Sequence, residues 1–109
     1  MQWLVTNGGS VIQTDNDGAT PLYSAACYGH LEVVQWLAAN GGEVNQADNS
    51  GKTPLFAAAK RGHLKVVQWL ATNGGSVVQE SYRGKIPFDA ALENGHHDVA
   101  QWLAGVSNF

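Results

Sequence analysis

Four histidines, six serines and one cysteine are the groups in this 109-residue chain best suited to ligate a metal or act as a nucleophile. His30, His63 and His96 recur at intervals of 33, so each occupies the same place in its own stretch of chain. Packed helical units put such positions roughly 10 Å apart, whereas zinc ligands converge within about 2 Å of one ion. Turn-stabilising histidines are therefore expected, with His96-His97-Asp98 the only local grouping worth a metal test. Ser10, Ser24, Ser50, Ser76, Ser81 and Ser107 lack the Gly-x-Ser-x-Gly elbow that exposes a catalytic hydroxyl. Cys27 has Tyr28 beside it and no base nearby in sequence, the setting of a helix-face residue rather than an activated thiolate. The glycines fit neither the dinucleotide fingerprint nor a phosphate loop. No catalytic residue, metal site or cofactor is expected, and the chain reads as a non-enzyme.

The charges are more informative. Residues 1–51 carry Asp15, Asp17, Glu32, Glu43 and Asp48 and no lysine or arginine. All six bases fall between Lys52 and Lys85, with Glu80 the single acid among them, and Asp89, Glu93 and Asp98 follow. The net charge of −3 thus conceals a basic segment between two acidic ones, and argues against a general nucleic-acid binder. One cysteine cannot build a disulfide framework, which favours a reducing, intracellular and most simply cytoplasmic setting. The start at Met1 shows no signal-peptide progression, and no apolar run approaches the roughly 20 residues of a membrane span.

The elements that position these groups follow one period. Trp3, Trp36, Trp69 and Trp102 are each 33 apart, and so are Gly18, Gly51 and Gly84, Pro21, Pro54 and Pro87, and the Gly-His pairs at 29, 62 and 95. Regular spacing of several residue types marks a repeat array, which is read before any local motif. In the unit 15–47, Asp15-Asn16-Asp17-Gly18 is turn chemistry, and Thr20-Pro21 opens a helix with a hydroxyl cap and a proline that needs no N–H. That short helix, 21–28, carries Ala25 and Ala26 for close packing, and Gly29 breaks it. A second helix, 31–40, aligns Leu31, Val34 and Leu37 on one stripe, and Gly41-Gly42 ends it. Residues 48–80 repeat the unit closely. Residues 81–109 replace the Thr-Pro-Leu start by Ile86-Pro87-Phe88, a lost cap worth about 1 kcal/mol that Asp89 in the first turn partly offsets. Residues 1–14 match only the tail of a unit. The whole chain is expected to form one repeat domain.

Gly18-Ala19-Thr20-Pro21-Leu22-Tyr23-Ser24-Ala25-Ala26 with Gly29-His30-Leu31, and Gly51-Lys52-Thr53-Pro54-Leu55 with Gly62-His63-Leu64, resemble the ankyrin repeat. The resemblance implies an all-α solenoid of stacked antiparallel helix pairs with projecting β-hairpin loops. It also implies protein binding through the loop tips and the concave face of the first helices. Three departures stand out. The histidine of the family's Thr-Pro-Leu-His motif is Tyr23, Phe56 and Asp89 here, so its loop-bridging bonds are altered or lost. The alanine after the exit glycine is Gly9, Gly42 and Gly75, which is expected to loosen those loops. The first unit lacks its first helix.

Residues repeated for packing, the tryptophans among them, are set apart from those that break phase. In the family's geometry five bases, Lys52, Lys60, Arg61, Arg83 and Lys85, share the concave surface with Tyr28 and Tyr82 beside them. The first expectation is therefore a protein-binding module taking a partner protein with an acidic segment, with no nucleic-acid or membrane role. The alternative is a structural fragment of a longer or engineered array that self-associates through its uncapped N-terminal end, where only Met1–Asn7 would cover residues 21–40. Glu93, Asn94, His97 and Asp98 give the other end a more polar, cap-like face. Leu37 with Glu43-Val44-Asn45 also resembles the target of asparaginyl hydroxylases that act on ankyrin repeats, which makes Asn45 a candidate for hydroxylation or simply a loop residue.

Overall fold

A computed structural model describes residues 13–107. Those residues form six helices in three pairs: α1 (Pro21–Cys27) with α2 (Leu31–Ala39), α3 (Pro54–Arg61) with α4 (Leu64–Thr72), and α5 (Pro87–Glu93) with α6 (His97–Ser107). The expectations for residues 1–12, including Trp3 and the cover over α1 and α2, lie outside the described residues.

Each first helix starts where the residue chemistry dictates. The Thr20 hydroxyl accepts the N–H of Tyr23, and Thr53 that of Phe56, both at 3.1 Å, with proline at the first helical position. Ile86 has no hydroxyl to offer. The Asp89 carboxylate instead accepts the Ile86 N–H at 3.0 Å, a directed bond that recovers part of the cap. The helix ends fall within a residue of expectation, Tyr28 and Asn40 serving as C-caps.

Alanines let the first helices approach. Ala25 and Ala26 of α1, Ala57 to Ala59 of α3, and Ala90 and Ala91 of α5 are all buried, and α1–α3 and α3–α5 pack more closely than the second helices do. Leu22, Leu37, Leu55, Leu70 and Leu103 are fully buried and run through the whole stack as one core. Burying each stabilises the fold by about 1.5–3 kcal/mol. Trp36, Trp69 and Trp102 lie half-buried against that core, as expected of a packing ladder.

Neighbouring units are also stitched by polar contacts. The His63 Nε2–H donates to the Cys27 carbonyl at 3.0 Å, and a side chain on Gly29 would collide with the His63 ring at 2.6 Å. Gly62 stands in the same relation to His96. The Gly-His pairs are therefore interlocked across units, glycine of one beneath histidine of the next.

Two features of the loops refine the expectations. The projecting loops form no β ladder among the described residues; each is closed as a turn by Asp15 N to Ala19 O, Asp48 N to Lys52 O, and Ser81 N to Lys85 O. One backbone bond joins each tip to the next, Asn49 N to Asp17 O and Tyr82 N to Ser50 O, and the Asn49 side-chain amide adds a bond to the Asn16 carbonyl at 3.3 Å. The exit glycines lie close against the helix ends. A Cβ at Gly42 would come within 2.8 Å of the Leu37 carbonyl, and at Gly75 within 2.7 Å of that of Leu70. Their N–H groups bond those same carbonyls, so glycine permits a tight helix exit.

Candidate protein-binding groove

The turns and first helices converge on one side of the stack, and the capped starts fix where their side chains point. Asp15 and Asp48 organise the first two tips. Asp15 accepts the N–H groups of Asp17 and Ala19, both at 2.9 Å. Asp48 accepts those of Ser50 at 2.8 Å and Lys52 at 3.0 Å. Ser81 holds the same place in the third tip.

Tyr23 occupies the family's histidine position and shares a hollow with the Asp48 carboxylate of the next turn. Burial, and then the neighbouring Asp48 carboxylate, push its phenol well above the usual value near 10. The family's loop-bridging role is thus altered at this junction.

The structure brings most of the expected basic residues together. Lys52, Lys60, Arg83 and Lys85 line one cavity of about 150 Å³, with Phe56 and Ala90 in its wall and Ser81, Glu93 and Asn94 around it. Lys52 and Arg83 also line an adjoining hollow of about 380 Å³ with Tyr82, which is 80% exposed. Lys85 is partly neutralised by Glu93 at 2.6 Å, the only salt bridge among the described residues. Lys60 is affected differently: the charge of Lys52, then burial, lowers its proton affinity, with Arg61 adding to the repulsion.

Arg61 turns towards Tyr28, its guanidinium carbon 5.7 Å from the ring centre, within cation–π range. Tyr28 is 63% exposed and belongs to a third hollow of about 280 Å³, lined by Asp15, Asp17, Asp48, Tyr23 and Cys27. Tyr28 and Arg61 therefore mark the boundary between an acidic and a basic stretch of one groove.

Sequence reasoning missed three contributors: Phe56 as a cavity wall, Ser81 as the buried hydroxyl of the third tip, and the Lys85–Glu93 pair. The 33-residue register of Asp15, Asp48 and Ser81 was the available signal for the second. Lys65, the one base outside the expected set, is exposed on α4.

Asn45 lies apart from the groove, and its side-chain amide is engaged at both ends. Its nitrogen donates to the Gly74 carbonyl at 2.8 Å, and its oxygen accepts the Ser76 N–H at 2.9 Å. It therefore clamps the following loop. Among the described residues no three histidine, cysteine or carboxylate groups are placed to hold a metal ion, and no helix is long and apolar enough to cross a membrane.

Paired helices, capped Thr-Pro starts and interlocked Gly-His turns define a helical repeat protein. A family model described as ankyrin repeats (many copies) matches residues 22–71, which span α1 to α4. Residues 22–71 belong to the ankyrin repeat family. A search of curated proteins gives no match. Ankyrin repeats are in general protein–protein interaction modules.

Proposed function

We propose that this chain binds a partner protein through its groove, with Lys52, Lys60, Arg61, Arg83 and Lys85 receiving an acidic segment and Tyr28 and Tyr82 packing beside it. The observation that carries this reading is the cavity at the junction of the second and third units, where four cations face one carboxylate. Packing explains none of them, since the cores of those units are built from leucine, valine and alanine. Opposed charge of this kind accelerates encounter and fixes register more than it adds raw affinity. An intracellular setting goes with the reading.

The test is affinity capture with Lys60 and Arg61 both changed to Glu. Capture should fall by at least about tenfold, the scale of 1.4 kcal/mol, while the melting temperature stays within a few degrees because both side chains are exposed. Equal capture by the two proteins would sink the basic-groove reading. The alternative, self-association through the N-terminal end, rests on residues 1–14; light scattering over a range of concentrations decides it, and a strict monomer removes it.

A further inference from the structure

Lys52 and Lys60 stand close enough for one ammonium to depress the proton affinity of the other, and both open into the cavity at the junction of the second and third units. Arg83 reaches the same cavity. Lys85 differs from these three, because Glu93 already counters its charge. Among the described residues no carboxylate makes a salt bridge with Lys52, Lys60 or Arg83. The arrangement thus presents three uncompensated cations to one small volume of about 150 Å³, with Phe56 closing one wall.

A ligand for such a place is constrained by charge and by shape. One carboxylate brings a single negative charge and two acceptor oxygens against three cations. A phosphate monoester brings a charge of roughly −1.5 to −2 and three acceptor oxygens, up to twice the countercharge and one oxygen for each of the two ammonium groups and the guanidinium. Bonds of this charge-assisted kind are about twice as strong as neutral ones. We propose that the Lys52–Lys60–Arg83 cavity is a seat for a phosphorylated side chain of the protein partner. This rests on the groove reading above and deepens it, since partner binding then depends on phosphorylation.

The probes are capped phosphoserine, the equally capped glutamate, and inorganic phosphate, each titrated into isotope-labelled protein and followed by amide chemical shifts. Capped phosphoserine and inorganic phosphate should move Lys52, Lys60, Ser81 and Arg83 together, with capped phosphoserine binding roughly tenfold more tightly than capped glutamate. Lys60→Gln should weaken phosphoserine binding by about the same factor, whereas Lys65→Gln on α4 should leave it unchanged; both variants keep the parent spectrum elsewhere if folded.

Equal affinity for phosphoserine and glutamate overturns the phosphate seat yet leaves the acidic-partner reading standing. Shifts at Lys65 as large as those at Lys60 overturn the seat as well, since the anion is then merely following surface charge. Failure of the charge-reversal variant to weaken partner capture overturns the broader reading instead.

Discussion

At the level of single residues, Tyr23 has the clearest consequence. Its folded proton affinity is raised, so the fold favours the neutral phenol. That contribution is intact below about pH 10, the unfolded value, and fades as pH climbs towards the folded one. Ultraviolet titration of wild type against Tyr23→Phe should show the tyrosinate signal lost by substitution lying well above pH 10; a difference centred near 10 would remove the account. Asn45→Ala should cost about 0.5–1.5 kcal/mol in urea unfolding, the net worth of an ordinary hydrogen bond, because the Gly74 carbonyl and the Ser76 N–H are exposed and exchange their partner for water. A hydroxylase acting on Asn45 would first have to draw that amide away from the neighbouring loop. Residue types alone could not disclose either contact. Tyr23 and Asp48 are 25 positions apart and Asn45 and Gly74 are 29, distances only the stacking of units converts into contact.

Among the elements, the helix starts were legible and the loops were not. Thr20-Pro21 and Thr53-Pro54 carry their caps in the local chain, and the observed bonds are the ones their chemistry calls for. Ile86→Thr should accordingly stabilise the third unit by about 1 kcal/mol, seen as a higher melting temperature. The loops depend on what lies across from them. Glycine at 42 and 75 looked permissive in sequence, yet a Cβ at either would sit within 3 Å of a helix-end carbonyl, so the alanine the family carries there would make the exit shift. Gly62 and Gly95 offer a matched comparison. Both have positive φ, 80° and 77°, but a Cβ on Gly62 would lie 2.4 Å from the His96 ring and one on Gly95 meets nothing within 4 Å. Gly62→Ala should therefore destabilise by about 1–3 kcal/mol more than Gly95→Ala. Equal losses in urea unfolding would show that backbone strain alone matters.

Over the whole molecule, the charge division anticipated from residue order survives folding: Asp15, Asp17 and Asp48 line one end of the groove, and Lys52, Lys60, Arg83 and Lys85 the other. Sequence could set the sign of each stretch but not the pairing within it, because Lys85 and Glu93 meet only once α5 is formed. The polar face expected at the C-terminal end is present in exposed Glu93, Asn94, His97 and Asp98, although Leu92 and Val106 are about half exposed there too.

The bonds that join units each span about one period: 32 residues from Asn49 to Asp17, 36 from His63 to Cys27 and 31 from Ser76 to Asn45. Cohesion therefore passes from neighbour to neighbour, as in a short chain of coupled links. Among the described residues only the central pair has a pair on either side, and six of the eight residues of α3 are buried, against three in α1. Deuterium should consequently enter the outer pairs first and the α3 amides last, so that the segment carrying Lys60 and Arg61 is the most slowly opening part of the array.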